Sequence, residues 1–319
     1  DGFSTGHGFL REPNDIQSYS ALACIAIQSN QNDQHGGQSI PNFDYGMAIG
    51  VAKTYAKLYT KNLAKAAEIL LDRPDLEEQL KEIRRKIEAE TGVKPRLQNS
   101  GEYCALERPY LSELVGDGGV DRLQAFAVNY AERETEALVH NLNTMHSRAG
   151  AQVPFSSINY GTDTSPEGRM VIKNILLAED AGLGNGETPI FPIHIFKVKE
   201  GLNFNEGEPN YDLFKLACKV SAKRLFPNFS FIDAPFNLPY YKPGDYNTEV
   251  AYMGCRTRVM SNAYDPTREI TCGRGNLSFT SINLPRIAIK SHGNVEWFFE
   301  ELERKVDLCI EQLLERFQI

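Results

Sequence analysis

Cys255 is the residue whose neighbours point most directly to chemistry. It follows Gly254 in the chain, and Arg256 and Arg258 come shortly after it. Cationic neighbours lower the pKa of a thiol and attract phosphate or carboxylate groups. A single cysteine in a loop is nevertheless more often an incidental thiol than a nucleophile. The residues alone therefore leave both interpretations of Cys255 open.

The other cysteines carry weaker signals. Cys24 lies in the apolar run 19–27, where the residues favour a buried small hydrophobic side chain. Cys272 precedes the segment 273–275, Gly-Arg-Gly, and such glycines let a backbone approach a ligand closely. No Gly-Lys-Ser/Thr follows it, so the segment is not a P-loop, and it is not a dinucleotide fingerprint. The remaining cysteines are interpreted as structural: Cys104, Cys218 and Cys309.

Polar side chains end a predicted strand over residues 152–160. Ser156, Ser157 and Asn159 are suited to bind a phosphate or a ribose, and ordinary strand-end hydrogen bonding explains them equally well. The 6 histidines show no H-x-x-x-H or H-E-x-x-H spacing, and no C-x-x-C pair occurs. The sequence therefore predicts neither a metal site nor a disulfide framework.

Composition excludes several classes of protein. Apolar residues make up 41% of the 319 residues and charged residues 24%, which is typical of a globular chain. A net charge of −8 argues against a general nucleic-acid or anionic-membrane binder. A phosphate ligand stays open, because a few local cations and helix N-termini can bind one. No apolar run reaches the roughly 18 residues of a membrane span, and no basic-plus-apolar leader is visible in the sequence, so we do not expect secretion. The sparse cysteines indicate a reducing cytoplasm.

The elements that must position these residues alternate between helices and short strands. Apolar periodicity predicts helices over 47–59, 120–145, 166–178, 210–224 and 294–318, and a helical hairpin over 61–91. A coiled-coil partner site is the disfavoured alternative for that hairpin, because its repeat covers fewer than about two heptads. Strands are predicted at 152–160, 189–198 and 229–234, two β runs at 278–289, and irregular structure at 92–120 and 245–262. This alternation indicates an α/β barrel or sheet.

Several long segments together resemble the catalytic subunit of the anaerobic (class III) ribonucleoside-triphosphate reductases, which are glycyl radical enzymes. The resemblance covers most of the chain and is weakest at 62–136. The segments that carry it are Ser20–Asn30, Gly36–Tyr45, His140–Tyr160, Met253–Arg256 and Gly273–Pro285. Long, ordered, non-repetitive motifs of this kind are far more specific than a short pattern.

The resemblance implies a ten-stranded α/β barrel with peripheral helices, threaded by a finger loop at about 245–262. In that family an activase that uses an iron–sulfur cluster and S-adenosylmethionine generates a glycyl radical, which takes hydrogen from the cysteine at the finger tip. The thiyl radical abstracts the 3′ hydrogen of a ribonucleoside triphosphate. Water leaves C2′ with help from a second cysteine, and formate supplies the electrons. A barrel interior shields such radicals from water.

By the same resemblance, Cys255 is the finger-tip cysteine and Cys24 the second thiol on the other ribose face. Asn276 matches a polar residue that hydrogen-bonds the ribose hydroxyls, and Met253 would line the formate site. Ser156, Ser157 and Asn159 complete the predicted substrate contacts. The resemblance also implies a homodimer whose helical region at about 47–145 binds a deoxynucleotide or ATP effector.

The chain departs from the family pattern in three places. The C-terminal glycyl loop, the paired-cysteine zinc site before it and the N-terminal ATP-cone are all missing from these 319 residues. We therefore expect residues 1–319 to be the catalytic barrel portion of a longer cytoplasmic enzyme, inactive on its own. The alternatives are a fragment that binds nucleotides or dimerises without chemistry, and another glycyl radical enzyme. The second alternative is disfavoured because lyases of that type use Cys-Cys or Cys-x-Glu, whereas Gly254 and Arg256 flank Cys255.

Overall fold

A computed structural model describes residues 3–4, 9–33, 36–140, 155–254, 257–276 and 278–318. Within this part of the chain, β1 (Phe3–Ser4) and β2 (Phe9–Leu10) form a short antiparallel pair. A parallel sheet forms the centre, in the spatial order β3, β4, β5, β6. Its strands are β3 (Gln38–Ile40), β4 (Ser156–Tyr160), β5 (Ile193–Val198) and β6 (Asn228–Phe231).

The central strands form because their side chains are buried on both faces. Every residue of β4 and β5 is buried, as is typical of strands that lie inside a parallel sheet. The register pairs Ser39 with Ser157, and Ser157 with Ile193. The strands predicted at 152–160, 189–198 and 229–234 are therefore confirmed as β4, β5 and β6, with shorter bounds than predicted. Their parallel order needs long crossover connections, which the helices supply.

The helices are α1 (Ile16–Asp33), α2 (Phe43–Leu71), α3 (Glu77–Thr91), α4 (Ser100–Val115), α5 (Asp117–His140), α6 (Pro166–Ala181), α7 (Tyr211–Arg224), α8 (Leu284–Ser291) and α9 (Val295–Gln318). The helices from α1 to α7 pack on this sheet or on one another, and α8 and α9 pack on each other. One apolar core joins the sheet to α2, α6 and α7 around Tyr160, Ile172 and Phe196. None of the helices in the described ranges combines the length and the apolar character that a membrane span needs.

A second core lies among α2, α3, α4 and α5. The prediction of irregular structure at 92–120 is wrong here, because α4 occupies most of it. Tyr103, Glu107 and Leu111 recur every fourth residue and are buried, so packing outweighs the poor helix propensity of Gly101 and Pro109. The hairpin predicted at 61–91 is confirmed by α2 and α3.

The C-terminal third adds an antiparallel hairpin and two helices. The hairpin consists of β7 (Ala251–Met253) and β8 (Thr257–Val259), and β7 packs against β3 and β4. The β runs predicted around Pro285 are wrong, because α8 begins there. Asn283 caps it by accepting a hydrogen bond from the N–H of Arg286, and Pro285 occupies the first turn, where it has no N–H to lose. The helix predicted at 294–318 is confirmed as α9. The chain is an α/β protein with a parallel sheet.

Candidate active site

The strand β7 pairs with β8, and side chains of β3 and β4 attach it to the central sheet. The amide of Asn159 pairs with both backbone groups of Tyr252: its Oδ1 accepts from the N–H at 2.8 Å, and its Nδ2 donates to the carbonyl at 3.0 Å. The hydroxyl of Ser39 donates to the same carbonyl at 2.7 Å. Ser157 donates to it at 3.2 Å and accepts from the N–H of Gly254 at 3.0 Å. We call Ser39, Ser157 and Asn159 the hairpin clamp.

The clamp follows from the pleat of the sheet. Every second side chain of a strand points to the same face, so Ser157 and Asn159 share one face of β4. Ser39 is paired with Ser157 on the neighbouring strand β3. Ile158 and Tyr160 point to the opposite face and join the helix-covered core. Ser156 shares that opposite face by the same alternation, so the sheet separates it from Ser157 and Asn159. Its predicted contact with substrate stays a prediction.

Cys255 and Arg256 lie outside the described residues, but the structure places their neighbour Gly254. Gly254 is buried and has a φ of 66°, a left-handed conformation that favours glycine. A Cβ atom added to Gly37 would lie 3.1 Å from the Gly254 Cα and 2.6 Å from Phe155 Cδ1. The absence of side chains at both glycines therefore lets the hairpin approach the start of β3. Met253, which precedes Gly254, is only 7% exposed.

Asn276 reaches the same place from a distant part of the sequence. A Cβ atom added to Gly36 would lie 2.8 Å from Asn276 Nδ2. Since Gly36 is next to Gly37, the amide of Asn276 is close to the point where the hairpin meets β3. The structure thus brings together Met253, Ser157, Asn159 and Asn276, as a shared site requires.

Cys24 occupies a different setting. It lies on α1, which packs against β3 and α2, and its side chain is exposed. The interpretation as a buried hydrophobic residue, which the residues alone favoured, is wrong. The helix buries Ile16 and Ser20, while Cys24 and Ile25 face outward. Its position opposite a substrate stays a prediction.

Arg258 lies in β8 and was expected to lower the pKa of Cys255. Its side chain contacts residues of another segment. Its guanidinium lies 5.0 Å from the centre of the Phe236 ring and donates to Asn237 Oδ1 at 3.4 Å. A cation over an aromatic face is a modest attraction. These contacts orient Arg258 toward the segment after β6.

A buried polar network behind the hairpin was not predicted from the sequence. Glu249, two residues before β7, accepts from Lys197 Nζ at 2.5 Å and from the hydroxyl of Thr162 at 2.7 Å. Lys197 is fully buried near the end of β5 and also donates to Asn42 Oδ1 at 2.8 Å. Asp44 accepts three backbone N–H bonds, from residues 161, 162 and 163, at 2.8 to 3.1 Å. The lysine in β5, a strand that is apolar apart from Lys197 and His194, was the available signal.

Burial raises the pKa values of a carboxyl group and a phenol in and beside this network, those of Asp163 and Tyr45. Desolvation raises the pKa of Asp163 to about 6, although the N–H and hydroxyl of Ser165 oppose that shift. Desolvation likewise raises the pKa of Tyr45, which stacks on Tyr246 with ring centres 4.3 Å apart. Among the described residues, no three His, Cys, Asp or Glu side chains are grouped to hold a metal ion. The site is therefore a shielded, hydrogen-bonded platform for the hairpin that leads to Cys255.

Comparison with known proteins accounts for these convergent segments. The family model described as anaerobic ribonucleoside-triphosphate reductase matches residues 1–319. Anaerobic ribonucleoside-triphosphate reductase from Enterobacteria phage T4 is 37% identical over 203 residues, which are 60% of this chain and 33% of the phage protein. The proteins of the same name from Haemophilus influenzae and Escherichia coli are 35% and 34% identical, over 62% and 57% of this chain and 27% and 24% of their own lengths.

The chain spans about a quarter to a third of the length of these curated relatives. The family model nevertheless covers all of it. Four of the five segments that carry the resemblance have described residues at the hairpin, namely Gly37 and Ser39, Ser157 and Asn159, Gly254, and Asn276. This chain belongs to the anaerobic ribonucleoside-triphosphate reductase family.

Proposed function

We propose that this chain provides the radical cysteine and the ribose-binding face of an enzyme that reduces ribonucleoside triphosphates to deoxyribonucleotides. One observation carries the proposal: the clamp fixes both backbone groups of Tyr252 and the N–H of Gly254, which is bonded to Cys255. A cysteine that exchanges hydrogen with a ribose carbon must be held at one distance from it. Rigid backbone immediately before that cysteine meets this need.

In the proposed reaction, the Cys255 thiyl radical takes the 3′ hydrogen of the ribose, so that an S–H bond forms as the C–H bond breaks. Cys24 donates hydrogen from the other face as water leaves C2′, and its exposure on α1 is consistent with access to a ligand. Formate supplies two electrons and leaves as carbon dioxide, and the Cys255 S–H returns its hydrogen to C3′, which regenerates the thiyl radical. Asn276 orients the ribose hydroxyls, Met253 lines the formate site, and Ser157 and Asn159 support the substrate face through the hairpin. Ser156, on the other face of β4, is proposed to contribute only through the strand that carries them.

A glycyl radical supplies the oxidising equivalent in this chemistry, and a radical S-adenosylmethionine activase generates it. The residues around the hairpin fit a radical site because Met253 and Gly254 are buried and therefore shielded from water. The parallel sheet is proposed as part of the ten-stranded barrel, with residues 245–262 as its finger loop. We place the enzyme in the cytoplasm, where its nucleotide substrates are.

The helices between about 47 and 145 are proposed to form the dimer and to bind a nucleotide effector, ATP or a deoxynucleotide. A cleft of about 870 Å³ between α2 and α3 supports an anionic ligand there. Its lining is net positive: it includes Glu68, Glu77 and Glu88 but six basic residues, Lys57, Lys61, Lys65, Lys81, Arg84 and Arg85. A triphosphate is suited to such a group of cations.

The test is anaerobic turnover by the intact protein that carries this segment, with its activase, formate and a ribonucleoside triphosphate. We expect deoxynucleotide to form and labelled formate to yield labelled carbon dioxide in equal amounts. Nucleotide binding without any product, when the glycyl radical is visible by electron paramagnetic resonance, would instead identify a binding protein.

A further inference from the structure

We propose that the buried ion pair between Lys197 and Glu249 is a positioning device that sets how the hairpin, and with it Cys255, meets the sheet. This inference rests on the proposed function for its effect on turnover. Its structural part, the direction of the hairpin up to Gly254, stands on the contacts alone.

The pair joins four segments at one point. Lys197 Nζ donates to Glu249 at 2.5 Å, to Asn42 Oδ1 at 2.8 Å and to the carbonyl of Pro41 at 3.2 Å. Thr162, just after β4, donates to the same Glu249 oxygen at 2.7 Å. The segments that follow β3 and β4 therefore meet the end of β5 and the base of the hairpin.

The hairpin is thus fixed at two levels. The clamp holds Tyr252 and Gly254 near the tip, and the ion pair holds Glu249 at the base. Hydrogen bonds at one level alone would leave β7 free to pivot about the clamp. Two levels define its direction, and the direction determines where the next residue after Gly254 lies.

Burial makes this arrangement unusual for a purely stabilising contact. The side chain of Lys197 is 0% exposed and that of Glu249 is 3% exposed. Desolvation of two charges offsets most of their attraction, so a well-packed apolar pair stabilises a fold as well or better. What an apolar pair lacks is direction, because only the charged groups specify a distance and an angle to Thr162 and Asn42.

The experiment replaces the pair with an apolar one, Lys197→Met with Glu249→Leu, in the intact activated protein. The matched control is Lys199→Met, which breaks the 2.6 Å ion pair with Asp233 and leaves the hairpin contacts in place. Three quantities are measured: the glycyl radical signal, the Kd for substrate, and kcat. A fourth is the rate at which iodoacetamide alkylates Cys255, followed by mass spectrometry.

We expect the double variant to keep the radical signal and the Kd within about twofold, while kcat falls about 100-fold, as a displacement of about 1 Å at reacting atoms produces. The alkylation rate of Cys255 should change at least about tenfold, and Lys199→Met should match the wild type in all four measurements. Unchanged kcat and unchanged alkylation in a folded double variant would overturn the proposal.

If the double variant does not fold, Glu249→Gln decides. It keeps an oxygen acceptor for Thr162 and Lys197 and removes only the charge, and a lower kcat with an unchanged Kd supports the proposal. Wild-type kcat and alkylation in Glu249→Gln would then overturn it. A wild-type protein without turnover would refute the proposed function, whereas the alkylation contrast would still decide the positioning role.

Discussion

Replacing Asn159 with alanine removes the side chain that holds β7 to the sheet. Asn159 is fully buried, and its amide makes hydrogen bonds of 2.8 and 3.0 Å to the backbone of Tyr252. A hydrogen bond contributes about 1 kcal/mol net, and a buried N–H left without a partner costs about 1–3 kcal/mol. We therefore expect Asn159→Ala to lower the free energy of unfolding by about 2–4 kcal/mol.

Urea unfolding measures that loss, and amide hydrogen exchange locates it, because the Tyr252 N–H should exchange at least about tenfold faster. Ser230→Ala is the matched control. Ser230 is buried on β6 of the same sheet, and its Oγ has no hydrogen-bond partner among the described residues. The control should be neutral to within about 0.5 kcal/mol. An Asn159→Ala protein with wild-type stability and unchanged Tyr252 exchange would refute the clamp.

Three other changes test neighbouring parts of the account. Gly254→Ala should lower the free energy of unfolding by about 2–4 kcal/mol, measured in urea, because its φ is 66° and a Cβ would lie 2.6 Å from Phe155 Cε1. Gly244→Ala is the control: its φ is 82° but a Cβ would meet no neighbour, so only the cost of backbone strain, about 1–2 kcal/mol, is expected. Burial raises the pKa of Glu107 to about 7 from 4.5, so the folded protein holds this proton more tightly, and stability falls as pH rises through that window. In Glu107→Gln the free energy of unfolding should fall by about 3 kcal/mol less than in the wild type as the pH rises from about 4.5 to about 7. Equal pH profiles of stability for the two proteins would contradict this. Cys24→Ala in the intact enzyme should stop deoxynucleotide formation while substrate binding stays within about twofold, and retained turnover would exclude the second-thiol role.

The sequence was most informative where a pattern is local. The apolar run at 189–198 predicted β5, and the amphipathic stripe predicted α9, because burial on a sheet or helix face imposes a periodicity of its own. The short helix α8 was missed although Asn283 and Pro285 carry the start signal, since the apolar residues around them suggested strands. The helix α4 was missed because tertiary packing outweighs its glycine and proline.

The site shows a similar division. The sequence predicted Ser157, Asn159 and Asn276 as site residues, and the structure adds that Ser157 and Asn159 hydrogen-bond to the hairpin backbone. The partnership of Lys197 with Glu249 spans distant parts of the chain, and no local pattern encodes which buried charge meets which. Such pairs become visible only when the strand order brings their segments together.

The most direct test of the central claim is Cys255→Ala in the intact, activated protein, with the glycyl radical and the deoxynucleotide measured on the same sample. The account predicts a wild-type radical signal and no detectable product, because the radical would have no thiol through which to reach the ribose. Deoxynucleotide formation by Cys255→Ala at a rate near that of the wild type would contradict it.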